Sequence, residues 1–172
     1  YSSPLKRAAE TAQIVSRSWR LDISYSDDLK EHDIGVFSGL MWDEAVENYP
    51  EMASAFEESR DWGVVAGAES VVDQRIRAEK VVHGLINNHN NDDLVIVFTH
   101  GGFLIHMISV VMGTERLWSV ELKNTALFDF TLDCERWNSR DASFQNDTLW
   151  RVNRFADTSH LGEDESTEYQ YS

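Results

Sequence analysis

The stretch Leu94-Val95-Ile96-Val97-Phe98-Thr99-His100-Gly101-Gly102 is the strongest indication of fold class in this chain. Its five consecutive apolar residues, mostly β-branched, are typical of a strand buried on both faces, as in the parallel sheet of an α/β protein. Two glycines then allow a tight turn, and the apolar run from Phe103 to Met112 predicts a buried helix that ends near Gly113. His100 is therefore predicted at the carboxyl end of a central strand, beside the N-terminus of a helix.

This position gives His100 a candidate chemical role. Open α/β sheets bind ligands at the carboxyl edge of their strands. Unpaired N–H groups and the helix dipole at the same place favour an anion. His100 is thus a candidate for phosphate chemistry. The alternative interpretation is a strand-end histidine whose ring is satisfied by neighbouring backbone.

Composition sets limits on the class of protein. The chain has 172 residues, 42% of them hydrophobic, and six tryptophans, which predicts one globular domain over residues 1–161. Residues 162–172 are acidic, lack aliphatic side chains after Gly162 and are predicted to be a disordered tail. The formal net charge of −15 disfavours general binding to nucleic acid or to an anionic membrane. Any anionic substrate would need a local basic pocket.

The cysteine count and the first residue bear on localisation. Cys134 is the only cysteine, so an intrachain disulfide is excluded and a reducing, cytoplasmic compartment is expected. No apolar run approaches the length of a membrane span. The first residue is Tyr1 rather than methionine, and we expect that upstream sequence is missing. A targeting peptide therefore stays an open alternative.

The N-terminal stretch predicts a helix with an arginine near its start. Ser3 is predicted as the N-cap and Pro4 as the first helical residue. Arg7 lies one turn further on, close to the unpaired amides. A guanidinium there can form a bidentate contact with a phosphate. The alternative is a solvated surface arginine.

Residues 29–40, the acid loop, contain two glycines and a dense set of titratable groups. Glu31 is a candidate general acid if a dry, crowded pocket raises its pKa; otherwise it is a solvated carboxylate. Helices over 43–48 and 51–59 are predicted to cover this loop within a lid, residues 37–65. The aromatic side chains of the lid either make it apolar towards a substrate or form core; they include Trp42, Tyr49, Phe56 and Trp62.

A long helix is predicted from Glu69-Ser70 to about Asn88, with Arg75 and Arg77 as surface charges. Strands are predicted over 21–25, 125–132 and 148–152, with an edge segment over 117–122. The polar stretch 135–146 predicts a hairpin loop, and 153–161 a coil.

Several of these stretches together resemble the histidine phosphatase superfamily, the phosphoglycerate mutase-like proteins. The matches are Ser2-Ser3-Pro4-Leu5-Lys6-Arg7-Ala8 with Thr11-Ala12, Leu29-x-Glu31-x-x-x-Gly35-x-x-x-Gly39, Ala68-Glu69-Ser70 and Thr99-His100-Gly101-Gly102. Asn124 and residues 153–161 fit the closing portion of the family pattern. The resemblance implies a three-layer α/β/α fold with a mostly parallel central sheet.

The resemblance also implies a chemistry. It is that of a metal-independent phosphomonoester hydrolase that acts through a phosphohistidine, needs no cofactor and takes a small phosphorylated metabolite as substrate. His100 would stabilise charge on the phosphoryl oxygens, and Glu31 would give a proton to the leaving oxygen and later activate water. Arg7 would hold the phosphate, with Ser3 and Gly101 in the same binding set. Such a cluster suits phosphoryl transfer, which depends on positioning and charge stabilisation.

One departure from the family pattern is the absence of an Arg-His-Gly motif, which carries the nucleophilic histidine. We expect that motif upstream of residue 1. Residues 1–172 alone are not expected to turn over a substrate. A noncatalytic phosphate-binding relative and a mutase-type phosphotransferase stay open as alternatives. The short distance between Glu31 and Glu69 favours the phosphatase branch over the mutases, which carry a long insertion there.

An esterase of the α/β-hydrolase kind is rejected, because Gly35-Val36-Phe37-Ser38-Gly39 places its serine one position late for a nucleophile elbow. The oligomeric state is not decided, with a dimer as one option.

Overall fold

The computed structural model describes residues 1–117, 120–138 and 146–162, in which helices are the most extensive secondary structure. Within those ranges the helices are α1 (Lys6–Trp19), α2 (Trp42–Asn48), α3 (Pro50–Ser59), α4 (Val71–Asn88), α5 (Gly101–Val111), α6 (Cys134–Asn138) and α7 (Asn146–Leu149). The strands are β1 (Leu127–Leu132) and β2 (Trp150–Asp157), and short 3-10 helices cover Asp27–Leu29, Gly35–Phe37 and Trp62–Val64. No helix in the described part of the chain is long and apolar enough to span a membrane.

The core lies where α4 packs against α5. Both helices were predicted from the sequence, and both are confirmed. Ser70 begins α4 with a capping box, since its Oγ accepts from the backbone N–H of Asp73 at 3.1 Å and the Asp73 carboxylate accepts in return. The buried side chains of this core are Leu29, Ala78, Val82, Ile86, Phe103, Met107, Val110 and Val111. The acid loop enters the core through Leu29, so Glu31 lies two residues from a fixed point.

The lid contains α2 and α3, as predicted, and has a small core of its own. Phe37 is buried, with the rings of Trp42, Tyr49 and Trp62 around it at centroid distances of 6.0 to 6.3 Å. Phe56 stacks on Trp62 at 4.0 Å. Tyr49, Phe56 and Trp62 therefore pack within the lid, as the second interpretation predicts, whereas Trp42 is 39% exposed.

The start of α1 differs from the prediction. The helix begins at Lys6 with Leu5 as its N-cap, two residues later than a Ser3 cap would allow. The cause is backbone pairing: the N–H of Ser3 donates to the carbonyl of Phe98 at 2.9 Å, which keeps Ser3 extended. The Ser3 hydroxyl still accepts from the N–H of Leu5 at 3.2 Å.

A mostly parallel central sheet is not confirmed. In the described part of the chain, parallel pairing consists of single bridges of Ser2 with Tyr25 and with Phe98, so the predicted strand over 21–25 is reduced to one bridge. Among the described residues, the backbone of 94–98 is hydrogen-bonded through one edge, to residues 1–3. Leu94 is 85% exposed, so the apolar run is not buried on both faces.

The regular sheet that the described residues do form is antiparallel. Strand β1 confirms the prediction over 125–132 and pairs with β2. The prediction of a coil after residue 152 was wrong, because β2 continues to Asp157 while the amide of Asn153 donates across to Asp129 and Thr131. Part of the predicted hairpin loop is α6. Residues 118–119, 139–145 and 163–172 lie outside the described residues, and with them parts of the predicted edge segment, loop and tail.

Candidate active site

Glu31 occupies the N-terminus of α5. Its carboxylate accepts from the backbone N–H of Gly102 at 3.1 Å and of Phe103 at 2.9 Å. His32 adds its backbone N–H and its ring Nδ1, both 3.1 Å from Oε1. The sequence predicts that this helix terminus attracts an anion. In this structure the anion is the protein's own Glu31 carboxylate.

The pKa of Glu31 moves in the direction opposite to the one that a general acid needs. Burial raises the pKa, but the hydrogen bond and the charge of His32, with the backbone donors of Gly102 and His32, lower it to about 2. The carboxylate is therefore ionised at neutral pH. The expectation that a crowded pocket raises the pKa of Glu31 is wrong for this arrangement. The hydrogen-bond donors around the carboxylate lower its pKa by more than burial raises it.

His100 lies at the end of the 94–98 run, as predicted, and is the N-cap residue of α5. Its ring is buried, and Nε2 lies 2.8 Å from Oγ of Ser3, which is fully buried. The partner of the ring is thus a side chain from the N-terminal segment, not the neighbouring backbone of the alternative interpretation. Ser3 and His100 are brought together by the pairing of residues 1–3 with Ile96 and Phe98.

The electrostatic environment of His100 links it to two further predicted site residues. Burial and the charge of Arg7 lower its pKa, the charge of Glu31 raises it, and Arg77 lowers it further, to about 4. His100 is neutral at pH 7 in consequence. The guanidinium of Arg7 and the carboxylate of Glu31 are both close enough to act on this imidazole.

Arg7 and Gly101 flank these groups. Arg7 is exposed in the first turn of α1, so its guanidinium is accessible from solvent. Gly101 is the first residue of α5 and is partly buried. Ser3, Glu31, His100 and Gly101 therefore come from three separate parts of the sequence and meet at one helix terminus, where the charge of Arg7 acts on His100.

Sequence reasoning missed two residues of this region, Arg77 and His32. Arg75 and Arg77 were predicted as surface charges, but their side chains are only 25% and 16% exposed and both are hydrogen-bonded. The available signal for Arg77 was its place on α4 one residue before the buried Ala78, at the edge of the apolar stripe. His32 was likewise not assigned, although its position next to Glu31 was visible.

Chemically, the site combines a neutral imidazole, an ionised carboxylate, an accessible guanidinium and a helix N-terminus. Cations and N–H donors around one point bind and stabilise a phosphoryl group, and a carboxylate beside them exchanges protons. The described residues hold no group of three His, Cys, Asp or Glu side chains that would bind a metal ion. The arrangement defines a candidate phosphate-binding α/β protein.

Comparison with known proteins identifies the class. The family model of the histidine phosphatase superfamily (branch 1) matches residues 1–144, and the chain belongs to that family. The phosphoglycerate mutase-like protein 4 of Arabidopsis thaliana is 32% identical over 95% of this chain and 66% of its own length. The metal-independent phosphoserine phosphatase of the same plant is 35% identical over 60% of this chain and 44% of its own length.

A solved structure agrees with this membership. Bacillus stearothermophilus YhfR superimposes with a TM-score of 0.70 at 26% identity, over 93% of this chain and 74% of that one. The chain is therefore similar to its relatives over most of its own length while it spans less than two thirds of the first two curated relatives.

Proposed function

We propose that the complete protein is a phosphomonoester hydrolase that passes the phosphoryl group through a phosphohistidine to water. The nucleophilic histidine would come from an Arg-His-Gly segment that precedes residue 1. The single observation that carries the proposal is that Ser3, Glu31 and His100 meet at the N-terminus of α5, where the charge of Arg7 also acts on His100. The family membership and the phosphatase named among its relatives support it.

In the first step, a nitrogen of the upstream histidine forms a bond to phosphorus while the bond from phosphorus to the leaving oxygen breaks. The leaving oxygen takes a proton from Glu31 and departs as an alcohol. Arg7 and His100 stabilise the negative charge on the phosphoryl oxygens. Because a bound phosphate dianion raises the pKa of a neighbouring carboxyl, substrate binding itself favours the protonated form of Glu31.

In the second step, Glu31 is again a carboxylate and takes a proton from water. The water oxygen bonds to phosphorus, the bond from phosphorus to nitrogen breaks, and inorganic phosphate leaves. The ionised Glu31 of this structure is the form that this step needs. Small phosphorylated metabolites are the proposed substrates, and the lid, residues 37–65, is the proposed source of specificity.

The test uses the complete natural protein and p-nitrophenyl phosphate labelled with ³²P. We expect release of inorganic phosphate and, on rapid quenching, an acid-labile phosphoenzyme stable in alkali, as a phosphohistidine is. His100→Ala should lower kcat by two to three orders of magnitude, since one charge-stabilising donor contributes roughly 3–4 kcal/mol to a transition state.

Three results would change the conclusion. Transfer of label to a second hydroxyl compound in preference to water would identify a phosphotransferase of the mutase kind. Binding of inorganic phosphate without turnover would identify a noncatalytic relative. Unchanged activity of His100→Ala would remove this imidazole from the mechanism.

A further inference from the structure

We infer that Arg77, held by Glu69, is a positioning residue for Glu31. The inference rests on the proposed function, because it concerns the group that exchanges protons with the leaving oxygen. Arg77 does not contact Glu31 in this structure. Instead it fixes, from α4, both the loop that carries Glu31 and the helix whose N–H groups hold its carboxylate.

The first contact is with the acid loop. Nη1 of Arg77 donates to the backbone carbonyl of Asp28 at 2.9 Å and of Lys30 at 2.8 Å. Lys30 directly precedes Glu31, so the guanidinium fixes the peptide group from which the carboxylate projects. Two further hydrogen bonds hold the loop beside this point: the Thr99 hydroxyl donates to the carbonyl of Leu29 at 2.8 Å, and the N–H of Lys30 donates to the carbonyl of Asp27 at 3.1 Å.

The second contact orients the guanidinium. Glu69 accepts from Nε of Arg77 at 2.7 Å and from Nη2 at 2.6 Å, which is the bidentate geometry of an arginine–carboxylate pair. Both side chains are less than one fifth exposed. A bidentate pair holds the guanidinium in one plane, and that plane determines where Nη1 points.

The third contact is with α5. The guanidinium carbon of Arg77 lies 3.9 Å from the ring centroid of Phe103, a cation–π distance. Phe103 is fully buried, and its own backbone N–H is one of the donors to Glu31. Arg77 therefore touches the residue before Glu31 and a residue that binds its carboxylate, and it couples the two.

A lysine in place of Arg77 could not make all of these contacts at the same time. An ammonium group has no planar face to stack on Phe103 and no fork to hold two carboxylate oxygens while it donates to two carbonyls. Arg75 provides the matched control. It lies on the same helix and is partly buried, and it donates to Glu79, to Ser109 Oγ and to the carbonyl of Thr114, none of which touches Glu31.

The experiment compares Arg77→Lys and Arg75→Lys in the complete protein on two substrates. p-Nitrophenyl phosphate has a leaving group that departs without a proton, whereas an alkyl phosphate such as 2-glycerophosphate needs one. If Arg77 positions the proton donor, Arg77→Lys should lower kcat/KM at least thirtyfold for the alkyl ester and less than fivefold for the nitrophenyl ester. Arg75→Lys should change both by the same small factor.

Stability is measured alongside, because the loss of a buried contact also weakens the fold. Glu69→Gln keeps the carbonyl and Phe103 contacts possible, so it should fold and show the same substrate bias to a smaller degree. Equal losses on both substrates in Arg77→Lys and Glu69→Gln, or a bias as large in Arg75→Lys, would overturn the inference. Absence of turnover in the wild type would instead overturn the proposed function, and the positioning role with it.

Discussion

The imidazole Nε2 of His100 and the hydroxyl oxygen of Ser3 lie 2.8 Å apart, although 97 positions separate them in the chain. Both groups are buried. The same hydroxyl accepts from the N–H of Leu5, so Ser3 joins the imidazole to the start of α1, the helix that carries Arg7. A change at Ser3 should therefore act on the orientation of His100.

Ser3→Ala should lower kcat/KM of the complete protein about fivefold. The loss of one hydrogen bond weakens the placement of the ring by about 1 kcal/mol, and 1.4 kcal/mol corresponds to a factor of ten in rate. The measurement is steady-state hydrolysis of p-nitrophenyl phosphate. Ser2→Ala is the control, because Ser2 is equally buried but its hydroxyl bonds only to the adjacent Ser3 carbonyl. Equal activities of the two variants would show that Ser3 does not orient His100.

The helices could be predicted from the sequence because their signals are local. Ser70 and the apolar spacing after it define α4, and the two glycines with the apolar run after them define α5. Pairing between strands is not local. The run 94–98 reads as a central strand, but its pairing depends on what lies beside it, and here residues 1–3 bond to one edge.

The sequence indicates which residues belong to the candidate site, but it does not indicate which of them contact each other. Motif spacing indicates Glu31 and His100 without showing that the carboxylate itself would bind the N-terminus of α5. That contact reverses the expected direction of the Glu31 pKa. Arg77 was misjudged because most helical arginines near a stripe edge are solvated, and its partners lie 8 and 47 to 49 residues away.

Protonation of buried histidines should make the fold less stable in mild acid. Burial first, then the charges of His32, Arg77 and Arg75 against that of Glu69, lower the pKa of His106 to about 4. The unfolded chain, with an ordinary histidine pKa of about 6.5, binds the proton first as pH falls from 7 to 5. The free energy of unfolding therefore decreases over this range, by about 2 kcal/mol for each such histidine.

His106→Leu should remove the part of this pH dependence that belongs to His106. Its Nδ1 is buried and has no hydrogen-bond partner among the residues that the structure describes, so leucine removes a poorly satisfied polar group as well. Urea unfolding at pH 7 and pH 5 measures the difference, which should be about 2 kcal/mol smaller in the variant. His83 is exposed on α4, and His83→Gln is the control for replacement of a histidine at the surface. Glu31 does not contribute to the loss of stability between pH 7 and pH 5. Because its pKa is lowered in the folded state, its contribution to the free energy of unfolding is lost only as the pH falls below the ordinary value of 4.5.

Glu31→Gln should separate binding from turnover. The amide cannot donate or accept the proton that the proposed steps need, so kcat should fall by at least a hundredfold. It also removes a negative charge from the helix terminus that a phosphate would approach, so inorganic phosphate should inhibit at lower concentration. The measurement is kcat together with the inhibition constant of phosphate. Weaker phosphate inhibition in the variant would place the carboxylate away from the bound anion.

Gly102→Ala should disturb the site, whereas Gly84→Ala should not. A Cβ at residue 102 would lie 2.6 Å from the ring of His32 and 2.8 Å from Oε1 of Glu31. Rotation of the His32 ring away from this Cβ would break its hydrogen bond to Glu31 and change its contact with the ring of Trp62, whose centroid lies 5.6 Å away. A Cβ at residue 84, within α4, meets nothing within 4 Å and should stabilise the helix by about 0.5–1 kcal/mol.

The expected result is a loss of at least tenfold in kcat/KM for Gly102→Ala, with the increase in thermal stability confined to Gly84→Ala. Both variants add one methyl group to a helix, so a general effect of alanine on helix formation would move them together. Wild-type activity in a folded Gly102→Ala protein would mean that the close contact of Glu31, His32 and Gly102 is not the arrangement in which the enzyme works.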